Sequence, residues 1–302
     1  MSSLVEQLIR GEPAALARAL TAIEHESEKG REVLRSIQPY LGRARSVGFT
    51  GAPGVGKSTL VSAYIGEVRR RGMTVGVIAV DPSSPLSGGA ILGDRLRMTQ
   101  HGGDDGVFIR SLASRGHSGG LCACAALAVD VMDASGKDVV IIETVGAGQS
   151  EIDVATIADA AVVITVPGLG DEVQAIKAGI LEIADVLVVN KADLPLADVV
   201  RRQLMAMLQL RPAERRVPVV PTTATKGEGI AALAAAIDQV WAVRKRPAPG
   251  ARLRHAIADA VARIARTRAL DAEGLDTLLA AAARGEIDTH TAAQQVLVLL
   301  KS

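Results

Sequence analysis

The stretch that most constrains this chain lies at residues 51–59 and reads GAPGVGKST, the complete pattern G-x-x-x-x-G-K-[ST]. An apolar run precedes it at residues 47–49, and a stretch typical of a helix follows at residues 60–65. The glycines let the backbone turn so tightly that successive N–H groups point inward, and the positive end of the following helix adds to them. The sequence therefore predicts a phosphate-binding loop for a nucleoside triphosphate.

Two side chains of this loop carry the predicted chemistry. Lys57 is expected to reach the β- and γ-phosphates, and the hydroxyl of Ser58 is expected to ligate Mg²⁺. The rest of the loop is expected to contact the nucleotide through its backbone. The predicted nucleotide-binding residues of the loop are Gly51, Ala52, Pro53, Gly54, Val55, Gly56, Lys57, Ser58 and Thr59.

The region from 46 to 243 alternates apolar strands with helical stretches, which is typical of βαβ units. Several strands are continuous apolar runs, as expected for strands buried on both faces of a sheet. We predict an α/β fold, a P-loop NTPase core with a mostly parallel central sheet flanked by helices. Helical extensions are predicted at 1–45 and 244–302, the second beginning with a linker. Strands are predicted at 47–50, 75–80, 107–110, 139–143, 161–166, 186–189 and 217–220.

Acidic residues follow two of the predicted strands. Asp81 ends the second strand and Asp94 lies in the loop after it, while Glu143 ends the fourth strand, three residues before Gly146. Carboxylates are hard donors suited to Mg²⁺, and the Gly146 N–H is expected to contact the γ-phosphate. Asp94 fits a helix N-cap equally well, and the two interpretations are compatible. The predicted catalytic set is Lys57, Asp81, Asp94, Glu143 and Gly146, and the predicted metal ligands are Ser58, Asp81, Asp94 and Glu143.

The sixth predicted strand ends in Asn190, Lys191, Ala192 and Asp193, an N-K-x-D arrangement. The Asp193 carboxylate can accept from both the ring N–H and the exocyclic amine of guanine, a donor pair that adenine lacks. Asn190 is expected to brace the site, and the Lys191 stem is expected to cover the face of the base. Thr223 and Ala224 follow the next strand, where a backbone N–H would meet the guanine O6. The sequence predicts GTP and GDP as ligands in preference to ATP.

Composition excludes several classes of partner. The 302 residues include 34 Lys and Arg and 33 Asp and Glu, a net charge of +1, so no global field draws the chain to nucleic acid or membrane. No apolar run approaches the roughly 18 residues of a membrane span. The two cysteines provide no disulfide framework. We expect a cytoplasmic protein with neither nucleic acid nor membrane as partner.

Five segments together resemble one family. They resemble the MeaB/ArgK/MMAA family, G-protein chaperones for adenosylcobalamin-dependent acyl-CoA mutases, chiefly methylmalonyl-CoA mutase. The resemblance covers essentially the whole chain, although the chain is somewhat shorter than typical members. The segments are 51–59 (GAPGVGKST), 81–98 (DPSSPLSGGAILGDRLRM), 143–151 (ETVGAGQSE), 170–185 (GDEVQAIKAGILEIAD) and 190–193 (NKAD).

The resemblance implies a GTPase that gates delivery of the cofactor to the mutase and edits damaged cofactor. It implies a homodimer paired through the C-terminal helices, and an adenosyltransferase as a further partner. Asp171, Gln174 and Lys177 match a family loop that couples nucleotide state to the mutase. From the residues alone, this segment fits a capped surface helix or a mobile loop equally well. No obvious hydrolytic glutamine or arginine finger lies in the motifs, so slow, partner-stimulated turnover is expected.

Two other functions fit parts of the sequence. A nickel-insertion GTPase would need soft or imidazole ligands, and Cys122 and Cys124 are the candidate pair. On the predicted helix, positions two apart point to different sides, so chelation by one subunit is not expected. A protein kinase acting on a transport protein is a third interpretation, but no acceptor site with a dedicated base is recognisable.

Overall fold

The computed structural model describes residues 3–81, 100–113, 120–144, 154, 157–168, 181–209, 217–243, 251–271 and 274–299. The predicted switch residues Asp94, Gly146, Asp171, Gln174 and Lys177 lie outside these ranges, as does the predicted linker at 244–250.

A seven-stranded sheet forms the centre of the described chain, in the order β3-β2-β4-β1-β5-β6-β7. All of its strand pairings are parallel. This confirms the predicted α/β class and each predicted strand. The strands are β1 Arg45–Gly51, β2 Val75–Asp81, β3 Val107–Ala113, β4 Val139–Thr144, β5 Ala160–Thr165, β6 Val186–Val189 and β7 Val219–Pro221.

The seventh strand begins two residues later than the sequence pattern indicates, at Val219 instead of residue 217. Pro218 precedes it, and a proline has no N–H to donate to a neighbouring strand. The Pro218 carbonyl still accepts from the Leu187 N–H at 2.9 Å. Pro218 therefore contributes only a carbonyl acceptor to the neighbouring strand, and regular pairing with β6 begins at Val219.

Helices cover both faces of the sheet. The helices of the core are α4 Lys57–Arg70, α5 Gly120–Ala134, α6 Ala197–Leu208 and α7 Ile230–Val243. The N-terminal helices are α1 Leu4–Ile9, α2 Pro13–Glu24 and α3 Glu28–Ser36, and the C-terminal ones are α8 Ala251–Leu270, α9 Leu275–Ala283 and α10 Thr289–Leu299. A helical turn, Leu181–Ile183, precedes β6.

Alternate residues of each buried strand face opposite layers of the core. In β4, Val139 and Ile141 join the cluster packed under α4 and α7. Val140 and Ile142 join the cluster packed under α5 and the N-terminal helices. Both sets are fully buried, so the continuous apolar run of β4 contributes side chains to the hydrophobic cores on both faces of the sheet.

The N-terminal helices are part of the second core. Ser3 and Glu6 form a capping box at the start of α1, and Leu8, Leu16 and Leu20 are buried against residues of α5 and the sheet. The predicted helical extension at 1–45 therefore packs against the core of the sheet. The boundaries at 45 and 243 stay predictions.

The C-terminal helices continue from the core, with α8 packed against α5. In the described part of the chain, no helix is both long and apolar enough to cross a membrane.

Candidate nucleotide-binding site

The phosphate-binding loop joins β1 to α4 at the carboxyl edge of the sheet, where ligands of parallel α/β sheets bind. Two of its positions require glycine. Gly51 has φ +147°, and a Cβ there would lie 2.3 Å from the Ile164 carbonyl oxygen. Gly56 has φ +88°, and its Cβ would lie 2.7 Å from Nδ2 of Asn190. The loop is thus packed against both β5 and the segment that follows β6.

Lys57 is the first residue of α4 and lies over the loop that precedes it. Its Nζ donates to the carbonyl oxygens of Gly51 at 2.6 Å and Ala52 at 2.9 Å. The side chain is buried, so its charge lies in a site partly shielded from water. The ammonium is placed among the loop residues predicted to hold phosphate, at the positive end of a helix.

The Ser58 hydroxyl donates to Oε1 of Glu143 at 2.6 Å, although the two residues are 85 positions apart in the chain. Both are buried, and Glu143 is completely inaccessible. β1 and β4 pair in parallel with Phe49 opposite Glu143, so the loop and helix that follow β1 begin beside the end of β4. A hydroxyl and a carboxylate are hard oxygen donors, so this pair fits a Mg²⁺ ion.

Asp81 is the last residue of β2 and pairs in register with Ala113. The neighbouring pair, Val80 and Thr144, shows that the ends of β2 and β4 lie side by side. The backbone of Asp81 is therefore at the same sheet edge as Glu143, as the sequence predicted.

Asn190 connects the base-recognition segment to the phosphate-binding loop. Its Nδ2 donates to the Val55 carbonyl at 2.8 Å. Its Oδ1 accepts from the Thr222 hydroxyl at 3.1 Å and from the Ala224 N–H at 3.2 Å. Asn190 is buried, so all these bonds are sheltered from water. These bonds give the predicted bracing role of Asn190 a geometric basis. They also hold the predicted Ala224 N–H against the Asn190 side chain.

Lys191 and Asp193 lie further out on the same segment. Lys191 has φ +54°, uncommon for a residue with a Cβ, and its Nζ donates to the Gly54 carbonyl at 3.0 Å. Asp193 Oδ2 lies 3.1 Å from Nζ of Lys226. The Ala192 N–H donates to the Thr222 carbonyl at 2.9 Å. Backbone and side-chain bonds therefore tie the N-K-x-D segment to the turn that carries Ala224.

Lys226 contacts the predicted base-binding residue Asp193, a contact that the sequence did not predict. It ends a short 3₁₀ turn, Ala224–Lys226, that begins with the predicted Ala224. Thr223, also predicted, is buried and bonds through its N–H to the Glu228 carbonyl at 3.1 Å. No motif spacing in the sequence indicated Lys226, because its contact with Asp193 depends on how the turn after β7 packs against the segment after β6.

Among the described residues, no group of three or more His, Cys, Asp or Glu side chains is arranged to hold a metal ion. Cys122 and Cys124 both lie on α5, as predicted.

Comparison with known proteins decides the family. Residues 16–273 match the profile of a family described as methylmalonyl-CoA mutase-associated GTPase, MeaB. The chain belongs to the MeaB family. As a member, this MeaB-family chain is a GTPase, which agrees with the phosphate-binding loop and the N-K-x-D segment described above.

Several relatives of the MeaB-family chain have names that agree with this family assignment. A putative GTPase of Pyrococcus abyssi is 51% identical over 235 residues, covering 76% of this chain and 72% of the relative. GTPase ArgK of Escherichia coli is 43% identical over 197 residues, covering 64% of this chain and 60% of the relative. A protein of Mus musculus named methylmalonic aciduria type A homolog, mitochondrial, is 36% identical over 243 residues, covering 74% of this chain and 59% of the relative.

Solved structures resemble this MeaB-family chain as well. A crystal structure of an LAO/AO transport system kinase aligns with a TM-score of 0.69 and 27% identity, covering 99% of this chain and 97% of the other. HypB from Helicobacter pylori, in complex with nickel, aligns with a TM-score of 0.51 and 16% identity over 71% of this chain and 94% of that one. At that identity, the HypB likeness shows a shared fold alone.

Proposed function

We propose that this GTPase gates adenosylcobalamin delivery to, and protects, a B12-dependent acyl-CoA mutase of the methylmalonyl-CoA mutase type. The observation that carries the proposal is the match of residues 16–273 to a family described as mutase-associated GTPases. The mouse relative, named for methylmalonic aciduria, is in accord with it. The geometry of the site supports the nucleotide half of the proposal.

The phosphates of GTP would be held by the loop between β1 and α4. Lys57 Nζ now contacts two loop carbonyls and would exchange them for β- and γ-phosphate oxygens, which carry more negative charge. The Gly146 N–H is proposed as a further donor to the γ-phosphate.

Ser58, Glu143, Asp81 and Asp94 are the proposed holders of Mg²⁺. The described pair, Ser58 and Glu143, is already in contact and buried. A bound Mg²⁺ supplies positive charge that neutralises the charge developing on the phosphates during transfer to water. The fold holds the Ser58 hydroxyl and the Glu143 carboxylate in place before Mg²⁺ binds. Little reorganisation of these two ligands would therefore be needed during the reaction.

Guanine selection is assigned to Asp193, with Asn190 and Lys191 in support. Asn190 and Lys191 each bond to a carbonyl of the phosphate-binding loop, at Val55 and Gly54 respectively. The segment that binds the base and the loop that binds the phosphates would therefore be hydrogen-bonded to each other when GTP binds. The Ala224 N–H, now bonded to Asn190 Oδ1 at 3.2 Å, is the proposed donor to the guanine O6.

Coupling to the mutase is assigned to Asp171, Gln174 and Lys177. The physical scheme is a loop that is held by γ-phosphate contacts and relaxes after hydrolysis. An adenosyltransferase is proposed as a second partner, which would supply the cofactor.

A homodimer through the C-terminal helices is also proposed. Ile257, Val261 and Ile264 form a stripe along α8 at four- and three-residue spacing, and all three are more than half exposed. A cavity of about 550 Å³ between α8, α9 and α10 is lined mainly by leucines and alanines. Such exposed apolar surface favours burial against another chain.

The test is phosphate release from GTP and from ATP, each with and without a B12-dependent acyl-CoA mutase. We expect slow GTP turnover that rises severalfold or more with the mutase, and little turnover of ATP. Equal use of ATP would refute Asp193 as the base selector. GTP turnover that does not respond to any such mutase would refute the chaperone role.

The structurally similar LAO/AO transport system kinase is named as a kinase, which favours a protein kinase as another candidate function. The same assay with γ-labelled GTP separates the two. Label released as inorganic phosphate supports a GTPase, whereas label retained on protein supports a kinase.

A further inference from the structure

We propose that Lys226 is a specificity-determining residue of the base site, which broadens the substrate class from guanine nucleotides to inosine nucleotides as well. Its ammonium keeps Asp193 paired when a base lacks the exocyclic 2-amine. Inosine nucleotides then bind better than they would to Asp193 alone. The inference rests on the proposed role of Asp193 as reader of the base.

The first observation is the contact itself. Lys226 Nζ lies 3.1 Å from Asp193 Oδ2, and the side chains are 54% and 37% exposed respectively. The pair is at the outer side of the segment, whereas Asn190 is buried beside the phosphate-binding loop. The hydrogen bond from Lys226 to Asp193, and then the charge of Asp193, raise the pKa of Lys226, so the ammonium form is favoured.

The second observation is the rigidity of the turn that carries Lys226. The Lys226 N–H donates to the Thr223 carbonyl at 2.9 Å, and Thr223 and Glu228 form an isolated bridge. Gly229 has φ +76°, and a Cβ there would lie 2.2 Å from the Pro221 carbonyl oxygen. The same turn presents the Ala224 N–H. The backbone that positions Lys226 is therefore fixed relative to the proposed partner of the 6-oxo group.

The chemical argument concerns an acceptor that loses its donor. Guanine offers two parallel donors to a carboxylate, whereas hypoxanthine offers only the ring N–H. A site built to accept from an amine rejects the analogue without it because a covered polar group is then left unpaired. At Asp193 one oxygen already has a cationic donor that the base does not supply. Since a carboxylate oxygen has two lone pairs, Lys226 can stay in place beside guanine as well.

The experiment measures affinities for GDP, IDP and ADP by competition with a fluorescent GDP analogue. The variants are Lys226→Met, which keeps length and removes the charge, and Lys226→Arg, which keeps a cationic donor. Lys29→Met on α3 is the matched control, an exposed lysine on the N-terminal helices.

We expect the ratio of GDP to IDP affinity to rise about fivefold in Lys226→Met, since a half-exposed ion pair is partly screened. The ratio should stay at the wild-type value in Lys226→Arg and Lys29→Met. A ratio of GDP to IDP affinity that is unchanged or lower in Lys226→Met overturns the inference, and this includes the case in which both affinities fall equally. Wild-type protein that binds ADP as well as GDP instead refutes the proposed role of Asp193, a separate outcome.

Discussion

Asn190 and Val55 are 135 positions apart in the chain, yet the Asn190 amide donates to the Val55 carbonyl at 2.8 Å. The other end of the same amide accepts from Thr222 and Ala224. One buried side chain thus holds together the phosphate-binding loop, the N-K-x-D segment and the turn after β7. Binding of base and binding of phosphate are coupled through this side chain.

Replacing Asn190 by alanine should weaken both folding and nucleotide binding. The buried partner groups would lose their bonds, so the free energy of unfolding should fall by about 1–3 kcal/mol. GDP affinity should fall about tenfold or more, because the loops that form the site lose their connection. Urea denaturation and GDP titration measure the two effects. Gln203→Ala, at an exposed position of α6, is the control and should change stability by no more than about 0.5 kcal/mol. Unaltered stability in Asn190→Ala would contradict this account.

Ser58→Ala should separate metal binding from nucleotide binding. Loss of the hydroxyl removes a proposed Mg²⁺ ligand and the bond to Glu143, so GTP turnover should fall at least about tenfold. Ser58→Thr keeps the hydroxyl and should retain most activity. Turnover is measured against Mg²⁺ concentration, and GDP affinity is measured with Mg²⁺ and with chelator. A loss of GDP affinity that is the same in both conditions would point to damaged folding instead of a lost ligand.

Asp133 should prove structural and not catalytic. Its buried carboxylate accepts from the N–H groups of Gly42, Arg43 and Ala44 at 2.6, 3.0 and 2.8 Å, just before β1 begins. Asp133→Ala leaves three sheltered donors without their anion, and the free energy of unfolding should fall by about 3 kcal/mol. GDP affinity of the folded variant should be unchanged, since α5 ends at the sheet edge opposite the nucleotide site. Exposed Asp105→Ala is the control for urea denaturation; equal effects of the two would refute the assignment.

Acid should remove the contribution of Asp104 to stability. The bidentate hydrogen bonds from Arg69, with the Gly106 N–H, hold the pKa of the Asp104 carboxyl below its usual value of about 3.9. A depressed pKa in the folded state stabilises the fold above the unfolded-state value and ceases to do so as pH falls through the folded-state value. Wild type should therefore be more stable than Asp104→Asn at pH 7, and the difference in free energy of unfolding should shrink as the pH falls below the unfolded-state value of about 3.9 and through the lower folded-state pKa. The difference in free energy of unfolding should be small because the Arg69–Asp104 ion pair is partly exposed to water. A difference that persists unchanged in acid would contradict the ionic origin.

Glutamate on the α8 stripe should disrupt the proposed dimer. Val261 and Ile264 are 60% and 53% exposed, so a charge there costs the single chain little but would be buried unpaired in a dimer. Val261→Glu should convert a dimeric species to monomer in sedimentation equilibrium. Ala262→Glu, exposed on another side of α8, should leave the assembly intact. A monomeric wild type, or a dimer that tolerates Val261→Glu, would refute the proposed interface.

Local pattern was enough to predict much of the fold. The seven strands follow from apolar runs bounded by turn residues, and the site motifs follow from short segments at strand ends. Ser58, Glu143 and Asn190 each come after the carboxyl end of a predicted strand, and the parallel sheet brings these ends to one edge. The late start of β7 was missed because a single proline changed the pairing of an otherwise suitable apolar run.

Motifs and apolar runs were sufficient to identify the phosphate-binding loop, the base-recognition segment and the strands that carry them. Which distant groups come into contact depends on the packing of the folded chain. The Asp133 contacts with residues 42–44 and the Lys226 contact with Asp193 have no spacing rule that would announce them. The physical reason is that motifs depend on backbone geometry over a few residues, whereas these contacts depend on how whole helices and turns pack across the sheet.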